Sequence, residues 1–264
     1  MHGLGNDFVI IDARVALNAI EITQARAAAI ADRHRGIGCD QLIILRQSTK
    51  ADVRMDIYNN DGSPSEACGN ATRCVVSLLG KDVSIETDGG LLAGTLSDTD
   101  SAVTINMGEP AFDWQNIPLA YAMDSANIPV GWEELNNPIA VNVGNPHIIF
   151  FVDDIQTVDL ARLGPQIETD PLFPERINVN IAEIRDGAIN LRVWERGAGL
   201  TQACGTGACA TAVAAIKRNL VSGPVKVNLP GGTLLINWAL GQSISMNGPA
   251  THVFTGQADW ASFG

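Results

Sequence analysis

The sequence predicts an α+β fold of two pseudo-symmetric units, each a mostly antiparallel β-sheet curled around a central helix. Three observations predict it: a weak internal repeat, two helices built of small residues and apolar nearly all round, and short alternating segments over most of the remainder. In the repeat, Ile57-Tyr58-Asn59 leads to Ala67-Cys68-Gly69, and Val193-Trp194-Glu195 leads to Ala203-Cys204-Gly205. Asn59 and Glu195 each stand nine positions ahead of the cysteine. A fainter echo sets Gly5-Asn6-Asp7-Phe8 against Gly144-Asn145-Pro146-His147, each opening an apolar strand.

In chain order, Phe8–Asp12 reads as a strand, and residues 22–34, rich in Ala and Ile, as a surface helix stopped by Gly36 and Gly38. Gln41–Leu45 and the alternating Val53, Met55 and Ile57 are strands. Ala71 to Leu79 is a helix ending at Gly80, apolar at Cys74, Val75, Val76, Leu78 and Leu79. Val103–Met107 closes the first half. Ile139–Val143, His147–Val152, Val179–Ile184 and the alternating Ile189, Leu191 and Val193 are strands of the second half. Ala208 to Asn219 is its small-residue helix, with Lys217 and Arg218 suiting the negative end of the helix dipole. Val225–Leu229, Thr233–Trp238 and Ser243–Met246 complete the strands. A helix apolar on every side needs cover on every side, which a curled sheet supplies. Residues 1–113 form the first unit, with the tail 250–264 returning to it, and residues 114–249 the second; the loop-prone stretch Met107–Pro118 holds the boundary.

Composition narrows the function. Basic residues number 17 against 29 acidic ones, a formal charge of −12, and no Lys/Arg cluster offsets it, so nucleic acid is not an expected partner. No stretch approaches the roughly 18 apolar residues of a membrane helix, and the first residues lack a secretion signal; a cytoplasmic protein off the membrane is expected. The cysteines are five: Cys39, Cys68, Cys74, Cys204 and Cys209. An odd count in such a chain points to free thiols rather than a disulfide framework. Cys39, Cys74 and Cys209 read as core residues. The cysteine gaps do not match zinc spacing, so no metal is expected.

Cys68 and Cys204 read differently, because each stands in a Cys-Gly turn just ahead of a helix. Unpaired main-chain N–H groups and the helix dipole favour a thiolate there, drawing the free-thiol pKa of ~8.5 downward. The same donors suit a carboxylate. One thiolate, one thiol and a carboxylate cradle can take a proton from an amino acid α-carbon on one face and return one to the other. Inversion of a stereocentre needs two such groups, and the repeat supplies two. No pyridoxal phosphate lysine signature stands out, so no cofactor is expected and the carbanion must be stabilised by preorganised donors in a dry site.

His2-Gly3-Leu4-Gly5-Asn6-Asp7-Phe8, Gly38-Cys39-Asp40-Gln41, Ala67-Cys68-Gly69-Asn70, Gly144-Asn145-Pro146-His147, Trp194-Glu195-Arg196-Gly197 and Ala203-Cys204-Gly205-Thr206-Gly207-Ala208-Cys209-Ala210 together resemble the diaminopimelate epimerases, in the right order from residue 2 to about residue 212. The two Cys motifs alone are shared with proline-racemase-like relatives. The resemblance implies interconversion of LL- and meso-2,6-diaminopimelate without a cofactor, in lysine and peptidoglycan precursor synthesis, by a homodimer. It implies Cys68 and Cys204 as the acid–base pair, and Asn6, Gln41, Asn59, Asn145 and Asn178 as substrate ligands. Gly69, Asn70, Gly205 and Thr206 would add helix-start donors. Arg196 would grip the distal carboxylate in a fork and Glu195 receive the distal ammonium, with His147 an auxiliary catalytic group. The family commonly has Gly where this chain has Ala71, which matters only if the position needs φ > 0. A proline-racemase-like epimerase of the same fold is the alternative; Glu195 and Arg196 argue against it, since a substrate without a distal charged end has no use for them. His2, His34 and His252 carry no assignment, and Phe254 near the C-terminus is the expected dimer contact.

Overall fold

The computed structural model describes residues 1–15, 21–66, 68–97 and 102–263; Ala67 of the first cysteine motif and Gly264 of the tail lie outside them. The chain groups into two compact units, Met1–Ile105 with Gly248–Gly264, and Asn106–Asn247.

The first unit runs β1 (His2–Gly3), β2 (Asn6–Asp12), α1 (Gln24–Ala31), β3 (Gln41–Arg46), β4 (Val53–Asn59), β5 (Pro64–Ser65), α2 (Gly69–Leu79), β6 (Val83–Thr87), β7 (Gly90–Leu96) and β8 (Val103–Asn106). β1 pairs antiparallel with β2, β2 parallel with β3, β3 antiparallel with β4, β4 parallel with β6, and β6 antiparallel with β7. β5 lies antiparallel on β4. Val53, Met55 and Ile57 are buried, as the period of two requires. On one side of this sheet Ala27, Ile30 and Ala31 of α1 pack on Leu42 and Ile44, sealed by Phe263 and Trp260 of the C-terminal turn (Trp260–Phe263). α2 lies against β1, β2, β6 and β7.

The second unit runs β9 (Gly131–Trp132), β10 (Leu135–Asn136), β11 (Ile139–Asn142), β12 (Pro146–Phe151), α3 (Leu160–Glu168), β13 (Asn178–Arg185), β14 (Ala188–Glu195), β15 (Gly199–Thr201), α4 (Gly205–Lys217), β16 (Val225–Leu229), β17 (Gly232–Asn237) and β18 (Ser245–Gly248). Its pairings reproduce the first: β11 antiparallel to β12, β12 parallel to β13, β13 antiparallel to β14, β14 parallel to β16, β16 antiparallel to β17, with β15 on β14 as β5 is on β4. α4 touches β11, β12, β13, β14, β16 and β17, which is what its run of buried Gly and Ala permits: without long side chains the helix fits inside the sheet's curve. The α+β duplication is thus present, with two parallel junctions in each otherwise antiparallel sheet.

Several elements lie beyond the sequence expectations, the β6–β7 hairpin and α3 among them. The β6–β7 hairpin buries Val83 and Ile85 and was not read as strands. α3 carries Gly164-Pro165 within it, residues that local propensity disfavours in a helix. Tertiary packing accounts for the glycine: a Cβ at Gly164 would lie 2.5 Å from the Trp194 ring. Leu160, Leu163 and Ile167 of α3 then join Ile148, Phe150, Val179 and Ile181 in one core. α1 is shorter than the expected 22–34, because Thr23 caps Arg26 N–H at one end and the Asp32 carboxylate takes the N–H groups of His34 and Arg35 at the other. Both cysteine helices begin earlier than expected, at Gly69 and Gly205.

Candidate active site

Those earlier starts make Cys68 and Cys204 the N-cap residues themselves. Both have extended backbone, φ −149° and −119°. Each sulfur accepts a main-chain N–H three residues on: Ala71 N–H to Cys68 Sγ at 3.5 Å, and Gly207 N–H to Cys204 Sγ at 3.3 Å. Each cysteine carbonyl accepts the first intrahelical bond, from Thr72 at 2.9 Å and Ala208 at 3.0 Å. Ala71 lies inside the helix, so a side chain there meets no left-handed backbone.

In the first unit, the Cys68 thiol lies 3.9 Å from Asn6 Oδ1, which also accepts from Asn70 Nδ2 at 3.3 Å. Asn6 is held by its own Nδ2 donating to Asp40 Oδ2 at 2.8 Å, and Asp40 shares Arg33 with Asp7, both at 2.7 Å. Fully buried Arg73 donates to Asn70 Oδ1 at 2.9 Å. Gln41 and Asn59 face each other across β3 and β4, Gln41 Nε2 to Asn59 Oδ1 at 3.0 Å, and Gln41 Oε1 is buried without a hydrogen-bond partner.

The second unit places its predicted residues in equivalent registers. Phe8 aligns with Gln41 on β2–β3 as His147 aligns with Asn178 on β12–β13. Gly5 and Gly144 precede Asn6 and Asn145 with φ +88° and +103°, a conformation that excludes most side chains. Asn178 donates to Pro146 O at 2.8 Å and accepts from Arg196 N–H at 2.9 Å. The exposed Arg196 guanidinium rests on Glu175 O at 2.9 Å. Glu195 accepts from Thr201 Oγ1 at 2.5 Å and hydrogen-bonds Cys204. Thr206 Oγ1 lies 3.5 Å from Cys204 Sγ.

Electrostatics depart from the expectation at Cys204. Burial, reinforced by the Glu195 charge, pushes its thiol well above the ordinary range, overriding the Thr206 and Gly207 donors that would favour a thiolate. Burial likewise raises Glu195, while its bonds to Thr201 and Cys204 act against the rise. His147 is fully buried, with Nε2 2.9 Å from Asn145 Oδ1 and Nδ1 3.1 Å from Asn180 Nδ2, and burial lowers its pKa to about 3.

The structure also brings in residues the sequence reading passed over. Asn180 shares a strand face with Asn178, and a polar side chain two positions on in an apolar strand was the available signal. Glu168 is buried on α3, accepting from Trp194 Nε1 at 2.7 Å and Gly197 N–H at 3.0 Å, so it braces both flanks of Glu195-Arg196. Nothing local in the sequence marks it. Among the described residues no helix is long and apolar enough to cross a membrane.

The sequence profile of diaminopimelate epimerase matches residues 1–112 and 139–253. A diaminopimelate epimerase of Rhizorhabdus wittichii is 64% identical over 265 residues, covering 100% of this chain and 96% of the relative. Two solved structures share the fold at 16% identity: a phenazine biosynthesis protein of the PhzF family from Bacillus anthracis (TM-score 0.66, covering 94% of this chain and 91% of that one) and a probable proline racemase from Agrobacterium radiobacter (TM-score 0.65, covering 94% of this chain and 88% of that one). The matched cysteine caps, the duplicated sheet and the full-length kinship together place the chain in the diaminopimelate epimerase family, and it is an isomerase of that family.

Proposed function

We propose that this epimerase interconverts LL- and meso-2,6-diaminopimelate by proton transfer through Cys68 and Cys204, without a cofactor. The observation that supports it is the matched pair of cysteine N-caps, each sulfur held by a first-turn N–H. First-turn donors around Gly69, Asn70, Gly205 and Thr206 suit the substrate's α-carboxylate and the charge that grows on it as the proton leaves. Asn6, Gln41, Asn59, Asn145 and Asn178 supply neutral hydrogen bonds that orient the substrate without adding charge. Arg196, on the surface, takes the distal carboxylate.

The proton balance is simple. In one direction a thiolate at Cys68 removes the α-proton and becomes a thiol, and the Cys204 thiol gives its proton to the carbanion. In the other direction a thiolate at Cys204 takes the α-proton and becomes a thiol, and the Cys68 thiol gives its proton to the carbanion. The raised pKa of Cys204 supports its resting as a thiol, and the adjacent Glu195 carboxylate is the group that can receive that proton when the thiolate is needed. Glu195 therefore serves Cys204 more directly than it serves a distal ammonium. The chain acts as a homodimer in the cytoplasm, supplying lysine and peptidoglycan precursors, with exposed Phe254 in the subunit contact.

Epimerisation of LL-diaminopimelate in deuterated water, with reductant and no added cofactor, tests this reading. Deuterium is expected at the inverted carbon, and Cys68→Ala and Cys204→Ala are each expected to lose activity by about 10²–10⁴-fold. A single cysteine variant with full turnover would end it. Proline preferred over diaminopimelate in the same assay would decide for the proline-racemase-like alternative.

A further inference from the structure

We propose that Asn180 is a positioning residue: it fixes the proton of His147 on Nε2, and thereby turns the Asn145 amide so that its NH₂ faces the substrate. The proposal rests on the reading of Asn145 as a substrate ligand. It follows from which groups around the Asn180 amide can only accept. Asn180 is fully buried on β13, and its Nδ2 lies 3.0 Å from Ile148 O, 3.3 Å from Asn178 O and 3.1 Å from His147 Nδ1. The first two partners are main-chain carbonyls, which can only accept. The amide must therefore present its NH₂ to them, since the reversed amide would set Oδ1 against two carbonyl oxygens. The NH₂ has two hydrogens for these three acceptors, so they are shared; an Nδ1–H facing the same NH₂ would set donor against donor, and Nδ1 therefore holds a lone pair. A neutral imidazole has one N–H, which then sits on Nε2, 2.9 Å from Asn145 Oδ1. A donor at that point draws the Asn145 oxygen inward and leaves its nitrogen pointing away from the histidine.

This orientation leaves Asn180 Oδ1 buried without a hydrogen-bond partner. The same atom would lie 2.8 Å from a Cβ at Gly207, where Cys204 Sγ would lie 3.2 Å away, so the network abuts the turn that holds the sulfur. The fold does not require a polar pair here. In the first unit the equivalent registers hold Phe8 and Ile43, both buried. The second unit has buried a histidine and an asparagine where the same architecture is satisfied by hydrocarbon, and kept one acceptor unpaired in doing so.

The test starts with the wild-type protein. Long-range proton–nitrogen NMR on ¹⁵N-histidine protein, with His147→Gln for assignment, is expected to show His147 as the Nε2–H tautomer, unchanged from about pH 8 to about pH 5. An Nδ1–H tautomer, or a ring that titrates within that range, overturns the proposal. Asn180→Asp replaces the donor with an acceptor and is expected to move the proton to Nδ1. It should lower kcat/KM for diaminopimelate about 10- to 100-fold, with most of the change in KM. A folded Asn180→Asp protein that keeps the Nε2–H tautomer and the wild-type KM also overturns it. If that variant does not fold, the wild-type spectrum still decides. Asn145→Ala with unchanged kinetics would instead sink the reading of Asn145, while the tautomer result stands by itself.

Discussion

The two units share one strand plan and differ in what they bury at matching places. Where the first has Phe8 and Ile43, the second has His147 and Asn180. Where the first pairs the neutral amides of Gln41 and Asn59, the second has Asn178 and the carboxylate of Glu195. Cys68 is half-buried beside Asn6, whereas Cys204 is only 3% exposed and bonded to Glu195. Duplication supplied two equivalent helix caps, but the surroundings made the two sulfurs chemically unequal.

The largest test of this asymmetry is Glu195→Gln against Asn59→Ala, its counterpart in the first unit. Glu195→Gln is expected to lower kcat by about 10²–10³-fold by removing the proton acceptor for Cys204. Asn59→Ala should act chiefly on KM, and by less. Removing the Glu195 charge also lowers the Cys204 pKa, so iodoacetamide should modify Cys204 faster at a given pH in Glu195→Gln; no acceleration by mass spectrometry would mean the charge does not govern this thiol.

A second test transplants the first unit's pair into the second. His147→Phe with Asn180→Ile is expected to lower kcat/KM about 10- to 100-fold while leaving thermal stability equal or higher, because replacing both partners of a buried polar pair by apolar groups is close to neutral. A transplant that unfolds the protein would show the polar pair to be structural.

The same pair should set a pH dependence. His147 falls from an ordinary 6.5 to about 3 in the folded state, so between those values the unfolded chain binds a proton that the folded one does not. Stability is therefore whole above about pH 6.5 and declines by about 1.4 kcal/mol per pH unit below it. Denaturant titrations from pH 6 to pH 4 should show that slope in the wild type and its loss in the His147→Phe, Asn180→Ile protein. A smaller, local effect belongs to α3. Gly164→Ala drives a methyl into the Trp194 ring and should cost about 1–3 kcal/mol, read as a fall in Tm; unchanged stability would mean the helix shifts freely.

Much of this was legible from residues alone, for a physical reason. Alternation and small-residue helices are local patterns, so the principal strands, the two cysteine helices and the nine-residue spacing could be read directly. Gly164-Pro165 hid α3 because local propensity disfavours a helix there, and only the approach of Trp194 makes the glycine useful. The cysteines, asparagines, Glu195 and Arg196 were named from motifs, but Asn180 and Glu168 matter through partners distant in the chain. The sign of the Cys204 shift was also out of reach. A helix start favours a thiolate and is visible in sequence; burial and a neighbouring carboxylate oppose it and depend on what packs around the turn. The amino-acid order by itself determined the duplicated α+β plan and the two sulfur positions, because both follow from short-range pattern. Tertiary structure alone decided the sign of the Cys204 shift and which groups surround the buried Asn180 amide, because desolvation and hydrogen-bond networks between remote segments arise only when those segments meet.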